Sequence, residues 1–135
     1  MKTEYFDLKN KRALVSGGAS GIGSSIVENL CEQGVEVYFF DINKNEAKKT
    51  INKIKKKKFK TPSFVECNIK NIKKYKSSIL NIIKKQGPID ILVNNASNDQ
   101  RHSLEKITEK YWDDRMAINL KHYLFAIQSV KKSMI

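Results

Sequence analysis

Proline, cysteine, tryptophan and arginine are all scarce in this chain, and their scarcity narrows what it can be. With two prolines among 135 residues there is no proline-rich linker, and no internal repeat or low-complexity segment stands out beyond one run of lysines. The two cysteines, Cys31 and Cys67, are isolated and lack Cys-x-x-Cys spacing. Buried, reduced thiols are expected, with no disulfide framework and no metal site. No apolar run approaches the length that crosses a bilayer, and Met1-Lys2-Thr3-Glu4-Tyr5 has no signal-peptide apolar region. A cytoplasmic protein with no membrane partner is expected.

Negative charge is also in short supply: 26 lysines and arginines face 14 acidic residues, for a net charge of +12. A nucleic-acid surface is one reading of such an excess. The distribution argues against it, because arginine is confined to Arg12, Arg101 and Arg115 and the lysines scatter over several predicted helices. The densest run, Lys55 to Lys58 with Lys60, falls where a helix should end, and cations there offset the helix dipole. A solvated lysine-rich surface is expected, with no nucleic-acid partner.

What is present is an alternation of strand and helix patterns, four times over, the signature of a parallel sheet covered on both faces. The length suits one domain at most. The first strand is Arg12 to Ser16, and the first helix runs from Gly21 to Gln33 with Ile22, Ile26, Val27, Leu30 and Cys31 on its apolar face. The second strand closes at Phe40. Asn43 then starts a lysine-rich helix to about Lys57, with Glu46 completing an approximate capping box. The third strand is Ser63 to Cys67, and the third helix buries Ile72, Tyr75, Ile79, Ile82 and Ile83 before Gly87-Pro88 stops it. Ile89 to Val93 reads as a central fourth strand. Thr108 caps a long last helix whose apolar positions are Met116, Leu120, Leu124, Ile127, Val130 and Met134. Right-handed crossovers give a doubly wound α/β sheet of Rossmann type, strand order 3-2-1-4, incomplete at the fourth strand's outer edge. That apolar edge, and a helix pattern running to Ile135 without a stop signal, suggest that the chain ends inside a larger design.

The stretch from Val15 to Gly23 carries the chemistry. Its spacing, Gly17-x-x-x-Gly21-x-Gly23, joins the first strand to the first helix, whose opening N–H groups and dipole favour an anion. A pyrophosphate is the expected occupant. Gly17 permits the turn, Gly21 lets a phosphate reach the backbone, and Gly23 lets helix and sheet pack closely. Asp41, at the end of the second strand, is placed to hold a ribose 2′-hydroxyl and to repel a 2′-phosphate, which points to NAD rather than NADP. The alternative for Asp41 is a turn or cap residue before the helix at Asn43.

These residues resemble the short-chain dehydrogenase/reductase family, and the likeness spans the chain as the N-terminal, cofactor-binding half of a member. Ser16 to Gly23 matches the family's cofactor turn, with serine in place of threonine. Asn94-Asn95-Ala96-Ser97 is similar to its Asn-Asn-Ala-Gly. The resemblance implies cofactor contacts from Gly17, Ser20, Gly21, Ile22, Gly23, Asp41, Asn68, Ile69, Asn94 and Ala96, with Asn68 where an aspartate usually takes the adenine amino group. An amide oxygen can still accept that bond. Asn119 falls at the family's catalytic asparagine, which holds a water on the proton path; a solvated helix residue is the alternative. A narrower likeness, in Asn94 to His102 and Tyr111 to Arg115, is to sugar dehydrogenases and 3-oxoacyl-carrier-protein reductases. Arg101 or His102 can therefore face a substrate, or simply order the loop.

The family's tyrosine and lysine share a helix face as Tyr-x-x-x-Lys, where the cation makes the phenol a usable acid–base group. Only Tyr5 and Lys9 fit that spacing here, and they precede the first strand. The catalytic tyrosine, lysine and serine are expected beyond Ile135, so residues 1–135 should form one NAD-binding domain, inactive alone. The implied reaction is hydride transfer between a nicotinamide and a small-molecule hydroxyl or ketone. A homo-oligomer formed through the 108–135 helix region is expected. The competing reading is a non-catalytic dinucleotide-binding or protein-interaction module.

Overall fold

In the computed structural model, which describes residues 3–134, the strands β1 (Arg12–Ser16), β2 (Glu36–Asp41), β3 (Ser63–Glu66) and β4 (Ile91–Val93) form one parallel sheet. Its order is β3-β2-β1-β4, the doubly wound Rossmann arrangement predicted from the alternation of patterns. Side chains alternate across each strand. Ala13, Val15, Val37 and Phe39 face one cluster with Val27 and Cys31 of α1 (Gly21–Glu32) and Ala47 and Ile54 of α2 (Lys44–Lys56). Leu14, Tyr38 and Phe40 face the other, with Tyr75, Ile79 and Ile82 of α3 (Ile72–Gln86) and Ala126 and Val130 of α5 (His122–Val130). Because the crossover from β1 goes one way and the return to β4 goes the other, a crevice opens at the carboxyl ends of β1 and β4.

Local chemistry sets the helix starts. Asn43, Asn71 and Thr108 cap α2, α3 and α4 (Glu109–Met116) by accepting from the N–H groups of Glu46, Lys74 and Tyr111. Gly34, at φ +79°, turns the chain out of α1, and Gly87, at φ +101°, does so after α3. Ion pairs join α1 to α2, where Lys53 and Lys57 reach Glu28. Such exposed pairs contribute about 0–1 kcal/mol, whereas burying one phenylalanine contributes roughly 1.5–3 kcal/mol. Packing of residues such as Phe39 and Phe40, both fully buried, therefore dominates over the lysine-rich surface.

Several local expectations change. Ile22, expected on the buried face of the first helix, is 76% exposed, because at the helix's first turn that face has passed the sheet edge and stands over the crevice. Glu46 does not return to Asn43 as a capping box would. Its carboxylate pairs with Lys49 instead, since the Asn43 N–H is already donated to Asp41. β3 ends at Glu66, one residue short, and β4 is only Ile91–Val93, half-buried, with Ile89 packed beneath it.

The last helix departs most. It is interrupted by a π turn at Ala117–Lys121, and it buries His122, Ala126 and Val130. Of the apolar positions read in this helix, Val130 is buried, and Met116, Leu120, Leu124, Ile127 and Met134 are exposed. The extra residue in the π turn rotates the following helix, so one straight helical stripe cannot describe both halves. Among the described residues no helix is long and apolar enough to cross a membrane, and both cysteines are free and buried.

Candidate functional site

The turn between β1 and α1 is held from below. The N–H groups of Gly17 and Gly18 donate to the Phe40 carbonyl at 2.7 and 3.3 Å, which ties the turn to β2. Gly17 and Gly21 take φ of +69° and +55°, conformations that L side chains rarely adopt. Ser20 then precedes α1 in an extended conformation without giving the helix a side-chain cap. The first turn of α1 therefore offers its N–H groups to the crevice, unlike the capped starts of α2, α3 and α4.

The glycines divide by what surrounds them. A Cβ at Gly21 would meet nothing within 4 Å, so this position faces open space wide enough for a ligand. A Cβ at Gly23 would run into the Gly17 carbonyl and lie 2.6 Å from the Asn95 Nδ2. Gly23 is thus a packing position. At Gly17 an added Cβ would be 2.8 Å from the Ala96 Cα, which brings the turn after β4 against the turn after β1.

The crevice is a cavity of about 490 Å³, of the size that small-molecule and cofactor sites have. It runs over the ends of all four strands. Gly17, Ser20, Ile22 and Gly23 line it above β1, Asp41 and Ile42 at the end of β2, Asn68, Ile69 and Lys70 after β3, and Ala96 to Asn98 after β4. Gly21 lies beside this lining with its open face. Asn94 and Asn119 are not part of it. Asn94 Oδ1 is buried with no hydrogen-bond partner, whereas its neighbour Asn95 lines the cavity and donates through Nδ2 to the Ser16 and Gly17 carbonyls at 3.1 and 3.0 Å.

Asp41 holds the scaffold as well as the rim. One carboxylate oxygen accepts from the Ala19 N–H at 3.0 Å and the other from the Asn43 N–H at 2.9 Å, joining the glycine turn to the start of α2. Each oxygen keeps a lone pair for a ligand hydroxyl. The Asn68 Oδ1 likewise accepts from the Lys70 N–H at 3.0 Å. The Lys70 ammonium reaches Asp114 of α4 at 2.7 Å and holds that carboxyl below its ordinary range. Burial pushes the Cys67 thiol up, so the cavity floor there is an uncharged SH.

Asn119 clamps the loop after β4. Its Oδ1 accepts from the Asn98 N–H at 2.7 Å, and its Nδ2 donates to the Asn98 carbonyl at 3.0 Å. These two bonds leave one amide hydrogen and one lone pair of Oδ1 on the Asn119 side chain uncommitted. Farther along the loop, the His102 ring stacks on Tyr111 at 4.2 Å, and the Tyr111 hydroxyl donates to the Gln100 carbonyl at 2.7 Å. Arg101 is exposed. Tyr5 sits at the opposite end of the sheet, its N–H donated to Gln33 at the end of α1.

Asn95 and Lys70 line the cavity and Ser16 ties its two turns together; the sequence marks Ser16 and Asn95 only as members of their motifs, with no contact assigned, and Lys70 not at all. Period-two alternation after β4 could have distinguished Asn95 from Asn94, since only one of two adjacent side chains can face the first turn. Nothing local marks Lys70.

The family model described as short chain dehydrogenase matches residues 11–135. The D-xylose 1-dehydrogenase of Caulobacter vibrioides is 37% identical over 130 residues, 96% of this chain and 50% of that protein. A protein named probable galactose dehydrogenase, from Rhizobium meliloti, is 33% identical over 132 residues, covering 98% of this chain and 52% of its own length. The solved structure of Thermoplasma acidophilum aldohexose dehydrogenase superimposes with a TM-score of 0.81 at 29% identity, over 96% of this chain and 46% of that one. The chain spans about half the length of the curated relatives it matches.

Proposed function

The chain belongs to the short chain dehydrogenase family, and from that premise we propose that it holds NAD in the crevice as the cofactor-binding portion of an oxidoreductase. The dinucleotide class, NAD or NADP, is the one this family and fold bind. The observation that carries the reading is the open start of α1, where free N–H groups and an unobstructed Gly21 meet the cavity. Such a corner suits two linked phosphoryl groups. In this reading Asp41 takes the adenosine ribose hydroxyls, and Asn68 and Ile69 border the base.

When bound, the nicotinamide supplies a carbon that accepts or releases hydride. This chain's residues orient it. Ser16 and Asn95 lock the turns after β1 and β4 together, and Asn119 fixes the loop that follows. The proton-transferring tyrosine and lysine belong to a part of the protein outside this sequence, so the chain alone binds the dinucleotide without turnover. The names of the relatives, galactose, xylose and aldohexose dehydrogenases, favour a sugar hydroxyl as the substrate class. A cytoplasmic location fits that chemistry.

Calorimetric titration of the chain with NAD and NADP tests the reading. NAD binding at least about tenfold tighter than NADP binding, with no NADH formed from a panel of sugars, is expected. Failure of both dinucleotides to bind would overturn the cofactor site, and steady NADH formation would overturn its dependence on residues elsewhere.

We also propose that the apolar face of Met116, Leu120, Leu124 and Ile127 is covered by a second copy of the protein. These side chains line a surface groove with no exposed polar atoms, a composition typical of homodimer contacts. Sedimentation should show a dimer that the Leu120→Glu, Leu124→Glu double variant converts to monomer. An unchanged association state would count against this surface.

A further inference from the structure

His122 opens α5 and is completely buried. Its Nε2 lies 3.4 Å from the Ser16 Oγ, across the sheet's carboxyl end. A serine hydroxyl has one hydrogen to donate and two lone pairs to offer. Both lone pairs of Ser16 are engaged, by the Asn95 N–H at 3.0 Å and the Ala96 N–H at 3.1 Å. Nε2 therefore cannot point a hydrogen at Ser16. That leaves Nε2 as the accepting nitrogen and puts the ring proton on Nδ1, a buried atom without a hydrogen-bond partner. Ile118 and Asn119 belong to the π turn, and Ile118 lines the cavity.

We propose that His122 is a positioning residue for the nucleotide cleft: as a neutral imidazole it takes the Ser16 hydroxyl hydrogen and locks the Asn95–Ala96 corner to the π turn that carries Ile118 and Asn119. The inference rests on the dinucleotide reading of the cleft.

The surroundings leave the imidazole without a charged partner. From α3 the Tyr75 ring stands 6.0 Å away, its phenol oxygen a second acceptor in reach of the Ser16 hydroxyl hydrogen, and Tyr123, the next residue of α5, packs edge-on at 4.4 Å. The Cys67 thiol, after β3, lies beside Tyr75. Burial raises both the phenol and the thiol, so neither carries charge near neutral pH. Phe40 of β2 backs Tyr75 at 5.1 Å, and Lys76 of α3 sits over the Phe125 ring.

A proton added to Nε2 would confront a hydroxyl oxygen whose lone pairs are already filled, and would place an unpaired cation in the interior. Burial accordingly pushes the His122 imidazole below its ordinary value. The sign follows from that direction. The neutral form maintains the cleft, so affinity is full above the lowered value and falls as the pH drops through it.

The test is NAD titration between pH 8 and pH 5 with the wild-type chain, His122→Gln and His122→Phe, together with nitrogen NMR of the free wild-type protein. Glutamine can place an amide oxygen near the position of Nε2, an acceptor that does not titrate. Wild-type affinity is expected to hold through neutral pH and to fall only below the ordinary histidine range, in step with protonation of the ring in the NMR spectrum. His122→Gln should match the wild type at pH 8 and lose the pH dependence, and His122→Phe should bind more weakly at every pH. The spectrum should show Nδ1 protonated and Nε2 bare at pH 8. An acid loss that survives in His122→Gln would assign the titration elsewhere and would overturn the proposal. So would a protonated Nε2. If the wild type binds no NAD at any pH, the cofactor reading fails, while the NMR result still decides the Ser16–His122 link.

Discussion

Gly23→Ala is expected to abolish dinucleotide binding and to lower the melting temperature by roughly 10 °C. The added methyl would run into the Gly17 carbonyl and crowd the Asn95 amide, both backbone-anchored parts of the turn that cannot rotate away. Overpacking of this kind costs about 1–3 kcal/mol and sometimes more, and each kcal/mol corresponds to roughly 4 °C in a domain near this size. Gly21→Ala separates the two roles of the turn. Its Cβ enters open space, so the cost to folding is confined to the positive φ, about 1–2 kcal/mol, while the methyl occupies the volume assigned to phosphate. Thermal melts and NAD titrations of both variants check this. A Gly23→Ala chain that melts and binds like the wild type would show that the helix and the glycine turn are not in the close contact described.

Asp41→Ala should weaken NAD binding about tenfold or more and bring NADP close to parity. Two effects combine. The carboxylate accepts from Ala19 and Asn43 N–H groups, and hydrogen bonds to a charged group contribute about 1.5–3 kcal/mol each, so its removal loosens the turn. The same negative charge repels a 2′-phosphate, and its loss removes that penalty. Asp41→Asn distinguishes them, because an amide keeps one acceptor while losing the charge. It should raise the NADP-to-NAD affinity ratio with a smaller drop in melting temperature than Asp41→Ala. Parallel titrations with both dinucleotides decide the point. A wild-type preference for NADP, or a ratio unmoved by either substitution, would remove Asp41 as the selector.

Asp41 also shows how two readings of one residue can coexist. The sequence offered a ribose-binding carboxylate or a cap before Asn43, and the structure shows the second directly, since the carboxylate accepts from Asn43. That bond leaves the rim position intact, because Asp41 still lines the cavity. The displaced capping box follows from the same contact. Once the Asn43 N–H is donated to Asp41, the Glu46 carboxylate has no donor to return to and pairs with Lys49.

Legible in the amino acids alone were features set by neighbours a few residues apart. The glycine turn, the Asn43 and Thr108 caps, the glycine stops and the apolar runs of β1 and β2 arise from backbone sterics, short-range hydrogen bonds and local composition, and the order of elements then leaves few topologies open. The sheet order 3-2-1-4 follows from those rules.

The buried face of the last helix was beyond that reach. Its apolar residues run all around it, and a one-residue register change at the π turn put His122, Ala126 and Val130 inward while Leu120 and Leu124 stayed outside. The pairing of Ser16 with His122, and the preference for Asn95 over Asn94 at the glycine turn, depend on which strand ends lie side by side once the chain has closed. Such contacts join residues that share no local pattern. They form only when packing brings distant polar groups out of water, where each must find a partner or remain unpaired at a cost in free energy.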